Sequence, residues 1–374
     1  MRPPFAEAVS VAGRADRLRA HLDDRGAPRS MIISAASNRR WLTGFTGSTG
    51  RVVVTPKRMV LVTDGRYGDQ ARQQSDAAGA HDLEVLVGTT LAEQRSLLIS
   101  VLGGGAVAAE AAVMSHADWL SLGPELDLVA IDGAVESLRR TKDVAEIARI
   151  AAAADIASHA LSEVGSMMVP GVTERDLRDE LEYRMRRLDA DGPSYETIVA
   201  SGPEHAALPH ARPTHRPFVE GDLVVIDVGA LLDGYHSDMT RTYVVGDASP
   251  AQLEWFGLVK ASQAAGLAAV RPGASLSDID AACRSVFNDA GVGDLFVHGT
   301  GHGVGLDIHE DPFIGRAGRG ELGVGDVVTV EPGLYRVGFG GIRIEDLVEV
   351  IDGGHRNFTA LPKDDPCPPS PPTI

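Results

Sequence analysis

GDLVVIDVG (221–229) and GDVVTVEPG (325–333) follow one pattern at an offset of 104 residues: Gly-Asp, an apolar run, an acid and a glycine. Each reads as the first strand of a hairpin that ends on a carboxylate, Asp227 in one and Glu331 in the other. The likeness extends both ways along the chain. Upstream, Pro170-Gly171 precedes Thr173, Asp176 and Leu177, while Pro272-Gly273 precedes Ser275, Asp278 and Ile279, every position displaced by 102. Both copies read as a helix ending at Pro-Gly and a second helix opened by an S/T-x-x-D capping box. Downstream, each hairpin continues into a strand with a further acid: Asp238 in HSDMTRTYVV and Glu345 in GIRIEDLVEV. The second half of the chain is therefore expected to hold two related helix–helix–hairpin halves. Packed about a pseudo-two-fold axis, they would bring four carboxylates together.

Asp227 and Glu331 end strongly apolar strands, so both are expected to be substantially buried. Several buried carboxylates side by side cannot all remain ionised without cations. Arg241 and Arg343 are the only basic residues in these hairpins. A pair of divalent metals, roughly 3.5–4 Å apart, relieves the repulsion and holds and deprotonates a water. Oxygen ligands with a single imidazole favour Mn2+ or Co2+ over a structural zinc, with Zn2+ as a further candidate. Neither C-x-x-C nor H-E-x-x-H spacing occurs.

HGTGHGVGLDIHE (298–310) packs three histidines and four glycines into thirteen residues. Two readings compete, a phosphate-cradling loop and a loop at a metal centre. No βαβ unit with a ribose-binding acid surrounds it, and its neighbours are acidic, which argues against a dinucleotide fingerprint. The glycines are expected to let the backbone pass close to a metal centre without side-chain clash.

The 374-residue chain exceeds the size at which one core stops growing, so two domains are expected. Residues 1–140 alternate strand-like runs (31–34, 51–56, 58–64, 83–87, 106–110, 128–131) with helical patterns near 14–25, 66–78, 90–102 and 115–122, which predicts a small α/β domain. A helix-former run over 142–168 reads as the link to the second domain at 141–360, and 361–374 reads as a Pro-rich tail without core-forming pattern. A formal charge of −17 opposes binding to nucleic acid or to anionic lipid. The residues before Leu18 contain no continuous apolar stretch, and no run of eighteen apolar residues occurs. Two distant cysteines, Cys283 and Cys367, fit a reducing compartment, so a cytoplasmic location is expected.

DVG with Asp227, SDMTRT with Asp238, HGTGHGVG with His302, VEPG with Glu331 and RIED with Glu345 together resemble the M24 metallopeptidases of pita-bread fold. NRRWLTGFTGS (38–48) and VTDGRY (62–67) resemble the creatinase-type N-terminal domain of Xaa-Pro peptidases. The resemblance implies an α/β (α+β) protein with that small domain ahead of a pita-bread domain with internal two-fold repeat. It implies hydrolysis of the bond before proline by a hydroxide held between two metals. Asp227 would chelate one metal, Asp238 and Glu345 would bridge, and His302 with Glu331 would complete the other metal's ligand set. Glu331 would also shuttle the proton, and Thr240 would hydrogen-bond the centre. His298, His309 and His210 would hold substrate, and Arg343 would line the same cleft. Fixed imidazole donors also suit a tetrahedral intermediate, whose charge develops on one oxygen.

The first domain and the intact ligand set separate the chain from methionine aminopeptidases and creatinases. Two Xaa-Pro activities remain. A dipeptidase must recognise its product's carboxylate, normally with an arginine. Archaeal-type prolidases have it after the proline of HExP, where this chain has Phe313; Arg316 and Arg319 lie close enough in sequence to substitute. The departure favours aminopeptidase P-like cleavage of a peptide with proline second, over prolidase. A non-catalytic binding module of this fold is a third reading, disfavoured because no ligand is lost. The resemblance also suggests a homodimer, with Trp41 or Phe45 of WLTGF reaching the partner's cleft.

Overall fold

The computed structural model describes residues 8–368. Contacts divide the chain into two compact units, meeting in sequence between Arg139 and Arg140. The part of the expected tail at 369–374 lies outside the described residues.

The N-terminal unit is built on a six-stranded mixed sheet in the order 83–87, 59–63, 51–54, 31–33, 106–109, 127–130. Strands 31–33, 51–54 and 59–63 form an antiparallel meander, and the outer strands join in parallel through helical crossovers. Its strands are rich in Val, Ile and Ala because both faces are covered: Ile32, Val53, Val60 and Val107 are all buried against Leu98 and Leu102. Two helices were not anticipated, Ala36–Thr43 and Ala134–Arg139. The first has no side-chain cap at Ala35 and is polar in sequence, so neither capping nor periodicity announces it. Tertiary contacts hold it instead. Trp41 is 1% exposed, with the guanidinium carbons of Arg14 and Arg17 at 4.8 and 5.3 Å from its ring. Phe45 is also 1% exposed and meets Tyr67 edge-on. Both rings are spent in this unit's own core, which overturns the expectation that either reaches a partner's cleft.

In the C-terminal unit the repeat is visible at the level of single hydrogen bonds. Gly171 N–H donates to Phe218 O and Gly273 N–H to Leu322 O; Thr173 bridges Pro217 and Ser275 bridges Glu321. Helices Val144–Val164 and Glu174–Arg187 precede the hairpin of Leu223–Val228 with Met239–Val244. Helices Pro250–Ala269 and Leu276–Asp289 precede the hairpin of Val327–Val330 with Asp346–Ile351. Only one of the two expected capping boxes forms. Thr173 and Asp176 cap each other's backbone N–H groups, a device worth about 1 kcal/mol. Ser275 holds the N-cap position but accepts no cap bond, its Oγ lying 2.9 Å from Ser277 Oγ.

The helix Val144–Val164 belongs wholly to this unit, which corrects its reading as a link. Its own capping box (Asp143, Glu146) starts it, and Tyr235 Oη donates to Glu146 Oε1 at 3.0 Å. The start of the expected tail is likewise tied down. Arg241 donates to Leu361 O, Lys363 pairs with Asp346, and Val244 N–H donates to Pro366 O. These bonds involve single backbone groups and ions, which leave no hydrophobic pattern to read.

The core of the second repeat packs Trp255, Phe256, Val259, Ile279 and Phe287 against Val328, Val330, Ile342 and Val348. Each such side chain, fully buried, contributes about 1.5–3 kcal/mol. The two hairpins meet through Thr240, Thr242 and Arg343: Glu345 N–H donates to Thr240 O, and Thr242 Oγ1 both accepts from Arg343 N–H and donates to Arg343 O. Arg241 points away from the acids expected to converge. It donates to Glu345 O and to Asp346 Oδ1 at 2.8 Å. Burial alone would raise Asp346, but Arg241 and Lys363 hold it below the usual carboxylate range.

Candidate active site

Strand pleating sets which side chains converge. Asp227 lies on the strand Leu223–Val228 directly opposite Thr240, and Asp238 sits just before Met239–Val244. His302 is central in Gly301–Gly303, Glu331 follows Val327–Val330, and Glu345 precedes Asp346–Ile351. Donor atoms of Asp238, His302 and Glu345 lie within 4.8 Å of one another, and all three residues are buried. His302 Nε2 is 3.5 Å from Asp238 Oδ2 and 3.7 Å from Glu331 Oε1. Its Nδ1 lies 3.1 Å from Gly303 O, the bond that would fix the proton there and leave Nε2 as a lone pair toward the acids.

Asp227 is held differently. Arg343 donates to its Oδ2 at 2.7 Å, and the single hydroxyl of Tyr195 stands in hydrogen-bond contact with both its Oδ1 and Asp238 Oδ1. Arg343 also donates from Nε to Thr240 Oγ1 (2.9 Å) and from NH1 to Tyr335 Oη (2.8 Å) and Pro209 O (3.0 Å). Thr240 Oγ1 in turn donates to Glu345 Oε2 at 2.7 Å. One guanidinium thus faces four carboxylates.

That imbalance governs the ionisation. Burial, reinforced by Asp227, pushes Asp238 well above its ordinary range, and burial with Asp238 does the same to Glu345. Burial raises Glu331 to about 7 against the opposing pull of Arg343. Burial also lowers His302 to about 4, so its imidazole is neutral at pH 7 and available as a ligand. Protons or cations must balance such a set, and a neutral imidazole among carboxylates is a donor set suited to divalent first-row ions.

These residues line a cavity of about 510 Å³ shared by His210, His298, His309 and Arg343. The His309 ring stands edge-on to His302, centroids 4.4 Å apart. His298 directs Nε2 at Tyr335 Oη, 3.0 Å away, and Nδ1 at Gly299 O. Arg284 orients this loop by donating to Phe296 O and His298 O while paired with Asp280. Burial, then the nearby Arg343, pushes His298 down to about 4. Glu310, next to His309, is pinned by a 2.8 Å ion pair to buried Lys142.

Two of the loop glycines are required by packing against neighbouring backbone. A Cβ on Gly301 would come within 2.0 Å of Thr329 O, and one on Gly303 within 2.4 Å of Asp311 O. The close approach is to neighbouring backbone, in a strand with a bulge between these two residues. Arg316 and Arg319 are exposed and do not line the cavity. Tyr195, Tyr335, Glu196 and Arg212 line or brace the site without having been anticipated. Tyr195 and Arg212 stand in connections with no periodic pattern; the signal for Tyr335 was its place four residues after Glu331.

Buried acids and a neutral imidazole opening on a histidine-lined cleft define a centre for metal-dependent hydrolysis. Residues 148–352 match Metallopeptidase family M24, and residues 14–141 match the Creatinase/Prolidase N-terminal domain. The chain belongs to Metallopeptidase family M24. It is 38% identical to an uncharacterized peptidase of Bacillus subtilis over 89% of this chain and 94% of that one. It superposes on an Xaa-Pro dipeptidase from Bacillus anthracis with a TM-score of 0.90 at 33% identity, covering 95% and 99% of the two chains. An X-Pro aminopeptidase from Thermotoga maritima superposes with a TM-score of 0.83 at 31% identity, covering 94% and 98%. No helix among the described residues is long and apolar enough to cross a membrane.

Proposed function

We propose that this metallopeptidase hydrolyses the peptide bond preceding proline, acting first on Xaa-Pro dipeptides. The carrying observation is the buried group of Asp238, His302 and Glu345, with Glu331 beside it, opening into the cleft of His210, His298 and His309. Two divalent ions, Mn2+ ahead of Co2+ or Zn2+, would be held by Asp227, Asp238, His302, Glu331 and Glu345. When bound they supply Lewis acidity and a water deprotonated at neutral pH.

The chain's own groups do the rest. Glu331 takes a proton at Oε1 and returns it to the departing proline nitrogen. His309, its ring edge-on to His302, donates to the oxygen on which charge develops; His298, with Nδ1 bonded to Gly299 O and Nε2 to Tyr335 Oη, is a fixed wall against which the substrate is held. His210 positions the substrate amine. Thr240 and Arg343 hold Glu345 and Asp227 in place.

The Bacillus anthracis neighbour supports the dipeptidase reading. The aminopeptidase reading favoured by Phe313 stands second, supported by the Thermotoga maritima neighbour. Retention of the whole acid and histidine set argues against a binding module. The test combines metal analysis of chelator-treated and reloaded protein with hydrolysis of Gly-Pro and of a longer X-Pro-X peptide. Two ions bound and metal-dependent turnover of Gly-Pro are expected. Turnover of the longer peptide alone would establish the aminopeptidase instead, and turnover of neither by the reloaded protein would overturn the reading.

A further inference from the structure

The cleft is lined by carboxylates, so a substrate that carries a free carboxylate needs a cation there. Two arginines and no lysine line it among the described residues. Arg343 is 3% exposed, and its donors are spent on Asp227, Thr240, Tyr335 and Pro209 O. Arg212 is different. Its side chain is 60% exposed, and its ion-pair partner is Glu196, itself 53% exposed on the same cleft.

Both residues are placed by parts of the site. Glu196 follows Tyr195, which bonds Asp227 and Asp238, and Arg212 stands two residues after His210. An exposed pair of this kind adds little to folding. Its guanidinium can therefore exchange one carboxylate for another at small cost. Arginine offers a planar fork that takes a carboxylate by two parallel hydrogen bonds. In an Xaa-Pro dipeptide the carboxylate stands one residue from the scissile carbonyl, about 3.8 Å from Cα to Cα, so its reader must share the cavity with the acids.

We infer that Arg212 binds the C-terminal carboxylate of the dipeptide substrate, and of the proline product, in place of Glu196. Glu196 competes for the same guanidinium and so sets how tightly free carboxylates bind. This supplies the charge that Phe313, which lines the same cleft, does not. It rests on the Xaa-Pro reading for the identity of the substrate but not for the binding measurement that tests it.

The experiment compares acid with amide. Binding of L-proline and of L-prolinamide to the metal-loaded protein is measured by calorimetry, and KM is measured for Gly-Pro and Gly-Pro-amide. The wild type should prefer the acid by roughly 10- to 100-fold, the range a charge-assisted pair supplies. Arg212→Gln should bring that ratio close to one, with the change in KM rather than kcat. Arg212→Lys should restore part of it, and Glu196→Gln should tighten L-proline binding. An acid preference left intact in Arg212→Gln, or no acid preference in the wild type, overturns the inference. A wild type that discriminates L-proline through Arg212 yet cleaves no Xaa-Pro peptide upholds the inference and overturns the proposed activity.

Discussion

Replacing Thr240 by Val tests whether the proposed metal ligands are held by the network beneath them. Thr240 is fully buried and its Oγ1 makes two bonds, donating to Glu345 Oε2 at 2.7 Å and accepting from Arg343 Nε at 2.9 Å. Valine matches threonine in shape but has no hydroxyl, and water cannot enter to replace it. Glu345 loses a donor and Arg343 loses an acceptor. Leaving one such group unpaired costs about 1–3 kcal/mol, so with two groups the variant should unfold in urea with a stability lower by about 2–6 kcal/mol. Loss of a group that orients a ligand weakens metal binding about 10- to 100-fold, or about 1.4–2.8 kcal/mol. The assay is calorimetric titration of Mn2+ into chelator-stripped protein, with Thr240→Ser as the control that keeps the hydroxyl. Valine and serine variants that both bind Mn2+ within twofold of the wild type would refute the reasoning.

Further expectations concern the acids, the loop and the frame. Asp238→Asn should lower the bound metal below two ions per chain and abolish Gly-Pro turnover; unchanged stoichiometry by elemental analysis would remove Asp238 from the ligand set. Gly301→Ala forces a Cβ to 2.0 Å from Thr329 O, so stability should fall by about 1–3 kcal/mol and metal binding should weaken, read by urea denaturation and titration. Burial alone would raise Glu174, but His205, Thr214 and Ser201 hold it below the ordinary carboxylate value of 4.5. The unfolded chain therefore takes up the proton first, so the stability this carboxylate contributes is fully present above that value and is lost as pH falls below it toward the depressed folded value. Thermal melts from about pH 6 down to about pH 3 should show a steeper loss for the wild type than for Glu174→Gln, and parallel curves would count against the network.

Much of the architecture was legible because it repeats locally. Alternating apolar runs marked the six strands of the first unit within a residue or two, and the offset of 102 to 104 residues marked the duplicated half. The helices Ala36–Thr43 and Ala134–Arg139 escaped because both are short, and the first has no side-chain cap that sequence would reveal. Ser275 shows the converse: a capping sequence was present, and the hydroxyl faced Ser277 instead. Residues were placed at the site by repeat symmetry and by resemblance; their mutual distances required the fold.

The sequence by itself determined the small α/β unit and the paired halves, because strand period, capping chemistry and duplication are written in local order, and its family resemblance nominated five candidate ligand positions. The tertiary structure decided how the charges are shared. Arg343 is committed to Asp227, Tyr195 lies between two acids, Arg241 turns away to Asp346, and Arg212 faces the cleft with Glu196. Several of these partners stand 30 to 120 residues apart, and an ion pair or hydrogen bond at that separation leaves no period in the chain. It exists only where folding has removed water and left a buried charge to be satisfied.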